Sequence, residues 1–353
     1  MTSRATTKRS KVVCKAARKT TMPGVIVPML ATLVDQPFSD PDWLFETKWD
    51  GVRSICFIMS GKSRFVSRNQ LDMTLQYPEL ANTADAIRAS EAILDGEIVA
   101  LDEKGISRFQ LLQPRLGRKN PGEIQRLAGI TRLAYYVFDL LYLDGFDLSS
   151  CSLLERKSRL ENILNPIRNI RYSDHIIGAG EKLYAEIAKV PLEGIIAKRL
   201  DSSYVQRRSV DWLKIKKIQE SEVVIGGFTE PRKSRSYFGA LVVGLYAEGK
   251  LHYVGHVGGG FNQKTLEQTY HLLKTLKSPQ CPFFEKPQTN EPVQWVKPKL
   301  VAQVKFSEWT SDKRMRQPIF LGLREDKKPE ACTFERERPT GETVRKAERK
   351  ARH

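Results

Sequence analysis

The sequence lacks the features that mark secreted, membrane-spanning or zinc-binding proteins. None of its five cysteines, Cys14, Cys56, Cys151, Cys281 and Cys332, forms a C-x-x-C pair, and their odd number argues against a disulfide framework. Reduced thiols are therefore expected, as in proteins of the cytoplasm. No apolar run approaches the length of a membrane span, and the basic N-terminus has no apolar core of a secretory signal.

Acidic side chains are absent from the first 34 residues, which contain seven Lys or Arg. The whole chain of 353 residues has a formal net charge of +17. So basic a balance predicts a polyanionic partner, most often nucleic acid. Residues 1–22 have few large apolar side chains, so we expect a disordered basic arm there. A DNA-tracking segment and a transit peptide would both fit that arm.

Short apolar runs separated by turn residues indicate an α+β fold for the first part of the chain. Residues 52–59 and 63–68 alternate around Ser-Gly-Lys as a hairpin does, and residues 92–105 are expected to form a second strand pair. Residues 133–145 form an apolar run that ends in Asp-Gly, whereas residues 153–164 have apolar side chains at helical spacing. Strands and helices without regular alternation predict mostly antiparallel sheets.

The pattern changes after the stretch W-L-K-I-K-K. Residues 218–330 contain roughly five strand-like runs and one helical stretch, which fits a five-stranded Greek-key β-barrel of the oligonucleotide-binding (OB) kind. We therefore expect an α+β domain over residues 23–217, an OB-fold barrel over residues 218–330, and a charged tail, mobile or helical, over residues 331–353.

Lys48 lies in L-F-E-T-K-W-D-G-V-R-S, a run that leads into a strand. An amine attacks phosphorus only when it is neutral, and a free lysine is almost entirely protonated at neutral pH. A nucleophilic lysine therefore needs burial or a neighbouring cation that lowers its pKa. Taken alone, this stretch is also compatible with an ordinary solvated lysine.

Carboxylates also stand within strand-like apolar runs. Glu97 lies in L-D-G-E-I-V-A-L-D and Glu193 in P-L-E-G-I-I-A-K-R, where an unpaired charge is costly. With Lys198, Lys214 and Lys216 they indicate one mixed-charge site, suited to a divalent cation and polyphosphate. A salt bridge at a sheet edge is the alternative for any single residue of the set.

The order of these stretches resembles a known family, the covalent nucleotidyltransferases. K-W-D-G-V-R matches the K-x-D-G-x-R motif of ATP-dependent DNA ligases, RNA ligases and mRNA capping enzymes. Further blocks resemble the family's later motifs in the same order, at residues 67–80, 94–113, 135–145, 193–199, 211–217 and 308–329. Two longer phrases, from P-M-L-A-T-L-V-D to K-W-D-G-V-R and F-L-G-L-R-E-D-K-K-P, resemble the ligase domain of the bacterial end-joining ligase, in its stand-alone form.

The resemblance implies a role for each matching side chain. Lys48 is the expected nucleophile, which takes AMP from ATP as a phosphoramide, and Glu97 and Glu193 are the expected ligands of Mg²⁺ or Mn²⁺. The implied nucleotide contacts are Glu46 near adenine, Phe138 stacked on adenine, Glu97 on the ribose, Arg53 and Arg68 on sugar or phosphate, Glu193 beside the metal, Arg208, Lys214 and Lys216 on the α-phosphate, and Arg324 and Lys327 on the pyrophosphate. Asp50 and Gly51 are expected to shape the loop.

The implied function is that of an ATP-dependent DNA ligase in DNA repair. It would seal 5′-phosphate/3′-hydroxyl breaks in nicked or broken duplex DNA, as a monomer at the nucleoid in the bacterial cytoplasm, with no membrane association. A Ku-type end-binding protein is a candidate partner, and the barrel is expected to rotate about residues 216–221. An RNA ligase or capping enzyme is the alternative within the superfamily, and a non-catalytic DNA-binding barrel is the alternative outside it.

Overall fold

The computed structural model describes residues 14–165, 167–190, 192–217, 219–231, 235–334 and 338–351. The strands are β1 (Arg18–Lys19), β2 (Leu30–Val34), β3 (Trp43–Thr47), β4 (Val52–Met59), β5 (Lys62–Ser67), β6 (Glu91–Leu101), β7 (Arg132–Leu143), β8 (Phe146–Asp147), β9 (Ile170–Tyr172), β10 (His175–Ile177), β11 (Gly194–Arg199), β12 (Arg208–Lys216), β13 (Gln219–Thr229), β14 (Leu241–Ala247), β15 (Lys250–Val257), β16 (Val293–Trp295), β17 (Val301–Phe306) and β18 (Ile319–Leu323).

The α-helices within these ranges are α1 (Phe109–Leu112), α2 (Pro121–Leu127), α3 (Leu153–Ile163), α4 (Gly180–Ala188), α5 (Gln263–Thr275) and α6 (Thr340–Ala351). Short 3-10 helices cover Thr74–Gln76, Pro78–Ala86, Gln113–Arg115 and Pro329–Ala331. Among the helices in the described ranges, none has the length and apolar character needed to cross a membrane.

Two sheets pack face to face in the first part of the chain. The first has the strand order β1-β8-β7-β6-β4-β5 with β9 beside β7, and the second has the order β10-β3-β11-β12-β2. Pairing is antiparallel except between β7 and β9 and between β12 and β2, which confirms the predicted antiparallel character. Phe57 and Phe138 of the first sheet share an apolar cluster with Trp212 of the second, so this packing brings β7 and β12 together.

The predicted hairpin is confirmed as β4 and β5, and the predicted amphipathic helix is confirmed as α3. The second strand pair predicted over residues 92–105 is wrong, because β6 is one long strand that pairs with β4 on one edge and β7 on the other. Both edges of β6 are therefore occupied. The chain after β6 turns back and forms one antiparallel bridge with it, between Leu101 and Ser107.

The third sheet, formed after residue 218, has the order β15-β14-β13-β17-β18 with β16 beside β13. A parallel bridge joins Gly259, just after β15, to Ile319 at the start of β18. The Phe320 N–H also donates to the Gly259 carbonyl at 3.0 Å. The two ends of the strand order therefore meet, around a core that includes Val224, Leu245 and Val304.

The N-terminal arm is ordered from residue 14, which corrects the prediction of disorder over residues 1–22; residues 1–13 lie outside the described ranges. Strand β1 pairs with β8 at the edge of the first sheet. Cys14 and Cys151 form a disulfide with a Cα separation of 6.1 Å, so the expectation of five reduced thiols is also wrong. The two cysteines are 137 residues apart in sequence, so their spacing gave no indication that the fold brings them together.

The charged tail ends in a helix, as one of the two predicted alternatives had it. Helix α6 packs against the second sheet, where Ala347 is fully buried beside Val34 and Leu213. The Thr340 N–H and hydroxyl donate to the Asp35 carboxylate at 3.0 and 2.9 Å at the start of the helix. The chain thus leaves the third sheet and returns to the first part of the molecule.

Candidate active site

One cavity of about 260 Å³ lies between the two-sheet part of the molecule and the third sheet. Its walls contain all the side chains that the motifs predicted to bind nucleotide or metal, namely Glu46, Lys48, Arg53, Arg68, Glu97, Phe138, Glu193, Arg208, Lys214, Lys216, Arg324 and Lys327. These residues come from both parts of the chain, so the fold brings together positions up to 281 residues apart in sequence.

Lys48 lies in the short loop between β3 and β4. Its backbone N–H donates to the Gly194 carbonyl at 2.9 Å, which ties the loop to the start of β11. The Asp50 carboxylate accepts from the Phe109 N–H at 3.1 Å. A Cβ built on Gly51 would collide with the Ile98 carbonyl, so only glycine lets the loop lie this close to β6. These contacts fix the backbone from which the lysine projects.

The Lys48 ammonium forms an ion pair with Glu193, in direct hydrogen-bond contact. Lys216 Nζ lies 4.0 Å from the same carboxylate. Burial disfavours the charged form of Lys48, but the attraction and hydrogen bond of Glu193 outweigh it and raise the pKa of Lys48. The pKa is therefore shifted away from the direction that a nucleophile needs, and the lysine is held in its protonated state.

Three carboxylates meet beside this ion pair. One oxygen each of Asp50, Glu193 and Glu220 lies within 4.8 Å of the others. Burial raises the pKa of Asp50 to about 6 and that of Glu220 to about 8, with repulsion from Glu193 adding to both. Carboxylate oxygens are the ligands that Mg²⁺ and Mn²⁺ prefer, and a bound divalent cation would relieve the repulsion among the three groups. The residues present therefore fit Mg²⁺ or Mn²⁺.

This set differs from the metal ligands predicted from the motifs. Glu193 belongs to both, whereas Glu97 lies outside the group of three, and burial raises the pKa of Glu97 to about 8. Asp50 was expected only to shape its loop, and Glu220 was not singled out. Glu220 precedes an apolar run at the start of β13, the same pattern that drew attention to Glu193.

The aromatic end of the cavity contains a buried network of charges. The Glu46 carboxylate is 2 % exposed and accepts from Lys157 and, at 2.6 Å, from Lys198. Lys198 Nζ lies 4.2 Å from the Phe138 ring centroid and 4.3 Å from that of Trp212. Burial lowers the pKa of Lys198 to about 8, although Glu46 opposes the shift. This end offers flat apolar faces with polar groups at their rim.

Sequence reasoning missed Lys157 altogether. It lies on α3 four positions after Leu153 and three before Leu160, on the face that the helix buries, and it is 1 % exposed. A lysine on the apolar face of an amphipathic helix was the available signal, since a buried ammonium requires a partner.

Arg53, predicted to contact sugar or phosphate, is paired with a buried carboxylate. Its guanidinium donates to both oxygens of Asp95, at 3.0 and 2.6 Å, and Tyr204 donates to the same carboxylate at 2.7 Å. The guanidinium carbon lies 5.2 Å from the Phe138 ring centroid. Arg53 therefore lines the cavity while held by a buried carboxylate.

The third sheet contributes the opposite wall of the cavity. Arg324 is 6 % exposed and donates to both oxygens of Asp326 at 2.8 Å, and to Gln303 at 2.5 Å. Lys327 pairs with Glu222 at 2.9 Å. Although burial opposes it, Lys327 and Arg324 together hold the pKa of Glu222 well below its usual range. The two cations thus reach the cavity within a structured segment.

Comparison with known proteins identifies the family. Residues 28–216 match the family model described as the ATP dependent DNA ligase domain, and residues 234–327 match the ATP dependent DNA ligase C terminal region. The chain belongs to the ATP-dependent DNA ligase family. The resemblance recognised in the sequence is thereby confirmed, together with the nucleotidyltransferase fold of the ligase domain.

Curated relatives of this chain include the multifunctional non-homologous end joining protein LigD of Pseudomonas aeruginosa, 38 % identical over 344 residues, which cover 96 % of this chain and 40 % of the relative. LigD of Mycolicibacterium smegmatis is 36 % identical over 329 residues, covering 90 % and 41 %. A DNA ligase of Thermococcus onnurineus is 32 % identical over 311 residues, covering 83 % and 53 %. The chain thus spans about two fifths of the length of the LigD relatives.

A solved structure described as mycobacterial DNA ligase D complexed with ATP and MES is also similar to this chain. The TM-score is 0.62 at 33 % identity, and the match covers 87 % of this chain and 98 % of that chain. The similarity in fold therefore extends over nearly the whole of a chain whose structure includes ATP.

Proposed function

We propose that this protein seals 5′-phosphate/3′-hydroxyl breaks in duplex DNA, using ATP, through a covalent lysyl-AMP intermediate. The observation that carries the proposal is the convergence of Lys48, Glu193 and the barrel cations Arg324 and Lys327 on one cavity. Membership of the ligase family and the net charge of +17 support DNA as the substrate.

We propose an adenylation domain over residues 23–217 and an OB-fold barrel over residues 218–330. The five-strand order of the third sheet and the parallel bridge between Gly259 and Ile319 support a closed barrel. Strand β16 is an addition outside that path. Helix α5 lies between β15 and β16, and the barrel covers the adenylation domain with the segment that bears Arg324.

In the first step the Lys48 amine attacks the α-phosphorus of ATP. A nitrogen–phosphorus bond forms, the bond to the pyrophosphate oxygen breaks, and pyrophosphate leaves. Because Glu193 holds Lys48 protonated, the lysine must separate from that carboxylate and lose a proton before it attacks. Lys214, Lys216 and Arg324 line the same space, where they offset negative charge that builds up at phosphorus.

Asp50, Glu193 and Glu220 would hold Mg²⁺ or Mn²⁺, which would shield phosphate charge when bound. In the two later steps AMP passes from Lys48 to the 5′-phosphate of the break, and the 3′-hydroxyl then displaces AMP. Arg324 and Lys327 lie in the cavity in the present arrangement, so the barrel must move before DNA reaches Lys48. The connection between β12 and β13, near residues 216–221, is the hinge that we propose.

We further propose a role in end joining, by analogy with the LigD relatives, with a Ku-type end-binding protein as a partner. Sealing of cohesive-end DNA can be compared with sealing of a single nick, with and without such a protein. A clear gain on broken ends supports this role, whereas equal rates on nicks and ends with no response to the partner contradict it.

The proposal is tested by incubating the protein with labelled ATP and a divalent cation. We expect a covalent adduct with wild type, none with Lys48→Ala, and sealing of nicked DNA by wild type alone. Labelling from GTP instead of ATP would indicate a capping enzyme, and sealing restricted to nicked RNA would indicate an RNA ligase. DNA binding without any adduct would indicate a non-catalytic barrel protein.

A further inference from the structure

Phe109 lies where the barrel meets the adenylation domain. It is the first residue of α1 and is fully buried. Its backbone N–H donates to the Asp50 carboxylate at 3.1 Å, in the loop that carries Lys48. The guanidinium carbon of Arg324 lies 4.5 Å from the centroid of its ring. One residue therefore contacts both the reactive-lysine loop and a cation that the barrel supplies.

The other partners of Arg324 belong to the barrel. Its guanidinium donates to Asp326 and Gln303, both of which follow β13 in the chain. These bonds hold the guanidinium within the barrel but do not fix it relative to the adenylation domain. The Phe109 ring fixes the guanidinium relative to the adenylation domain, because a guanidinium over an aromatic face is attracted by the ring quadrupole and restricted in orientation.

Two more contacts cross the same boundary beside Phe109. Asn69 donates a hydrogen bond to the Asp326 carbonyl. The Gln113 side chain lies against Gly322, where an added Cβ would come within 2.8 Å of the Gln113 Cδ. The end of β18 and the turn after it therefore rest on α1, on the 3-10 helix that follows it and on the loop after β5. Arg324 reaches the cavity from this docked segment.

We propose that Phe109 is a positioning residue for the adenylation step. Its ring orients Arg324 over the cavity while its N–H steadies the loop of Lys48, so that docking of the barrel and placement of the nucleophile depend on the same residue. The inference rests on the ligase function proposed above. The contact is broken when the barrel moves to admit DNA, so Phe109 serves the reaction with ATP and not the final sealing of adenylated DNA.

The test measures the two half-reactions separately in Phe109→Leu, which keeps the N–H and apolar character but removes the ring. Enzyme-adenylate formation from labelled ATP is followed in a single turnover at saturating ATP. Sealing of a nick that already bears AMP is followed without ATP. We expect adenylation to fall about tenfold while sealing of the adenylated nick stays within about twofold of wild type.

Phe65→Leu is the matched control, because Phe65 is equally buried in the same domain, packs on Tyr135 and does not contact Arg324. It should affect both half-reactions alike. Phe109→Tyr keeps the ring and should restore adenylation. Phe109→Leu should also add little in an Arg324→Ala background, since both changes break one interaction.

The inference is overturned if Phe109→Leu slows both half-reactions equally, slows neither, or adds its full effect to that of Arg324→Ala. Thermal unfolding of each variant separates a folding defect from a loss of positioning, and Phe109→Met provides a second ring-free variant if leucine fails to fold. Failure of the wild-type protein to form any adduct would instead overturn the proposed function.

Discussion

Lys48 and Glu193 form an ion pair between neighbouring strands of the second sheet. Lys48 directly follows β3 and Glu193 directly precedes β11, and these strands are paired so that Thr47 lies opposite Ile195. The register of these two strands therefore places the Glu193 carboxylate beside the Lys48 amine. Both groups are largely removed from water, with exposed side-chain fractions of 21 % and 7 %. The pair holds the lysine in its protonated form.

Lys48→Arg should separate chemistry from stability at this pair. Arginine keeps a cation beside Glu193 but is not a nucleophile, so we expect no adduct with labelled ATP and little change in the melting temperature. Lys48→Ala should also form no adduct, but it leaves Glu193 buried without its partner and should cost about 3 kcal/mol of stability. Adduct formation and thermal unfolding of both variants check this. An arginine variant as unstable as the alanine variant would contradict the structural role assigned to the pair.

The two candidate sets of metal ligands, one with Glu220 and one with Glu97, can be distinguished by mutation. Glu220→Gln removes one carboxyl ligand from the group with Asp50 and Glu193, and it should raise the Mg²⁺ concentration for half-maximal adenylation about tenfold. Glu97→Gln should leave that concentration within about twofold of wild type, because Glu97 lies outside the group. Adenylation rates measured over a Mg²⁺ series decide the matter. A larger shift for Glu97→Gln than for Glu220→Gln would favour the ligand set predicted from the motifs.

The sequence predicted the site's members better than their partners. Motif spacing identified side chains that meet in one cavity, because each lies within a strand or within a few residues of its end, and the strand order sets its position. The pairing of Arg53 with Asp95, and the dependence of Glu46 on Lys157, could not be read from spacing. Such pairs depend on which buried charges face each other across sheets and helices, and this follows only from the packed structure.

The same limit applies to the fold. Local alternation was enough to predict the hairpin of β4 and β5. It failed for β6, where the pattern of alternation gives no information about which neighbours occupy the strand's two edges. The Cys14–Cys151 disulfide and the pairing of β1 with β8 are likewise contacts between segments far apart in sequence. Composition alone gave no sign of them and predicted that the N-terminal segment was disordered.

Lys198 should make stability depend on pH. Its pKa is lowered by burial to about 8 in the folded state, compared with an ordinary value of 10.5. Between these two pH values the unfolded chain binds the proton more strongly, so this lysine should make the protein more stable as the pH rises from about 8 to about 10.5. Below pH 8 both states are protonated and the contribution is constant.

Urea unfolding of wild type and Lys198→Met at pH 8 and pH 10 measures this contribution. The difference in unfolding free energy between the two proteins at each pH cancels the titration of other groups. The stability of wild type relative to the variant should improve at the higher pH. Lys189→Met is the control, because Lys189 is exposed and pairs with Glu186 on the surface. A Lys198→Met difference that does not change with pH, or that changes as much for Lys189→Met, would show that the Lys198 pKa is not lowered.

Helix α6 should stabilise the second sheet although it follows the third sheet in sequence. Ala347→Asp places a carboxylate against Val34, Leu213 and Ile215, where no solvent reaches it, and should cost about 3 kcal/mol. Lys346→Asp, on the exposed side of the same helix, should cost less than about 1 kcal/mol and controls for the altered charge and helix propensity. Thermal and urea unfolding of the two variants provide the comparison. Equal losses for both would mean that α6 does not pack on the second sheet in solution.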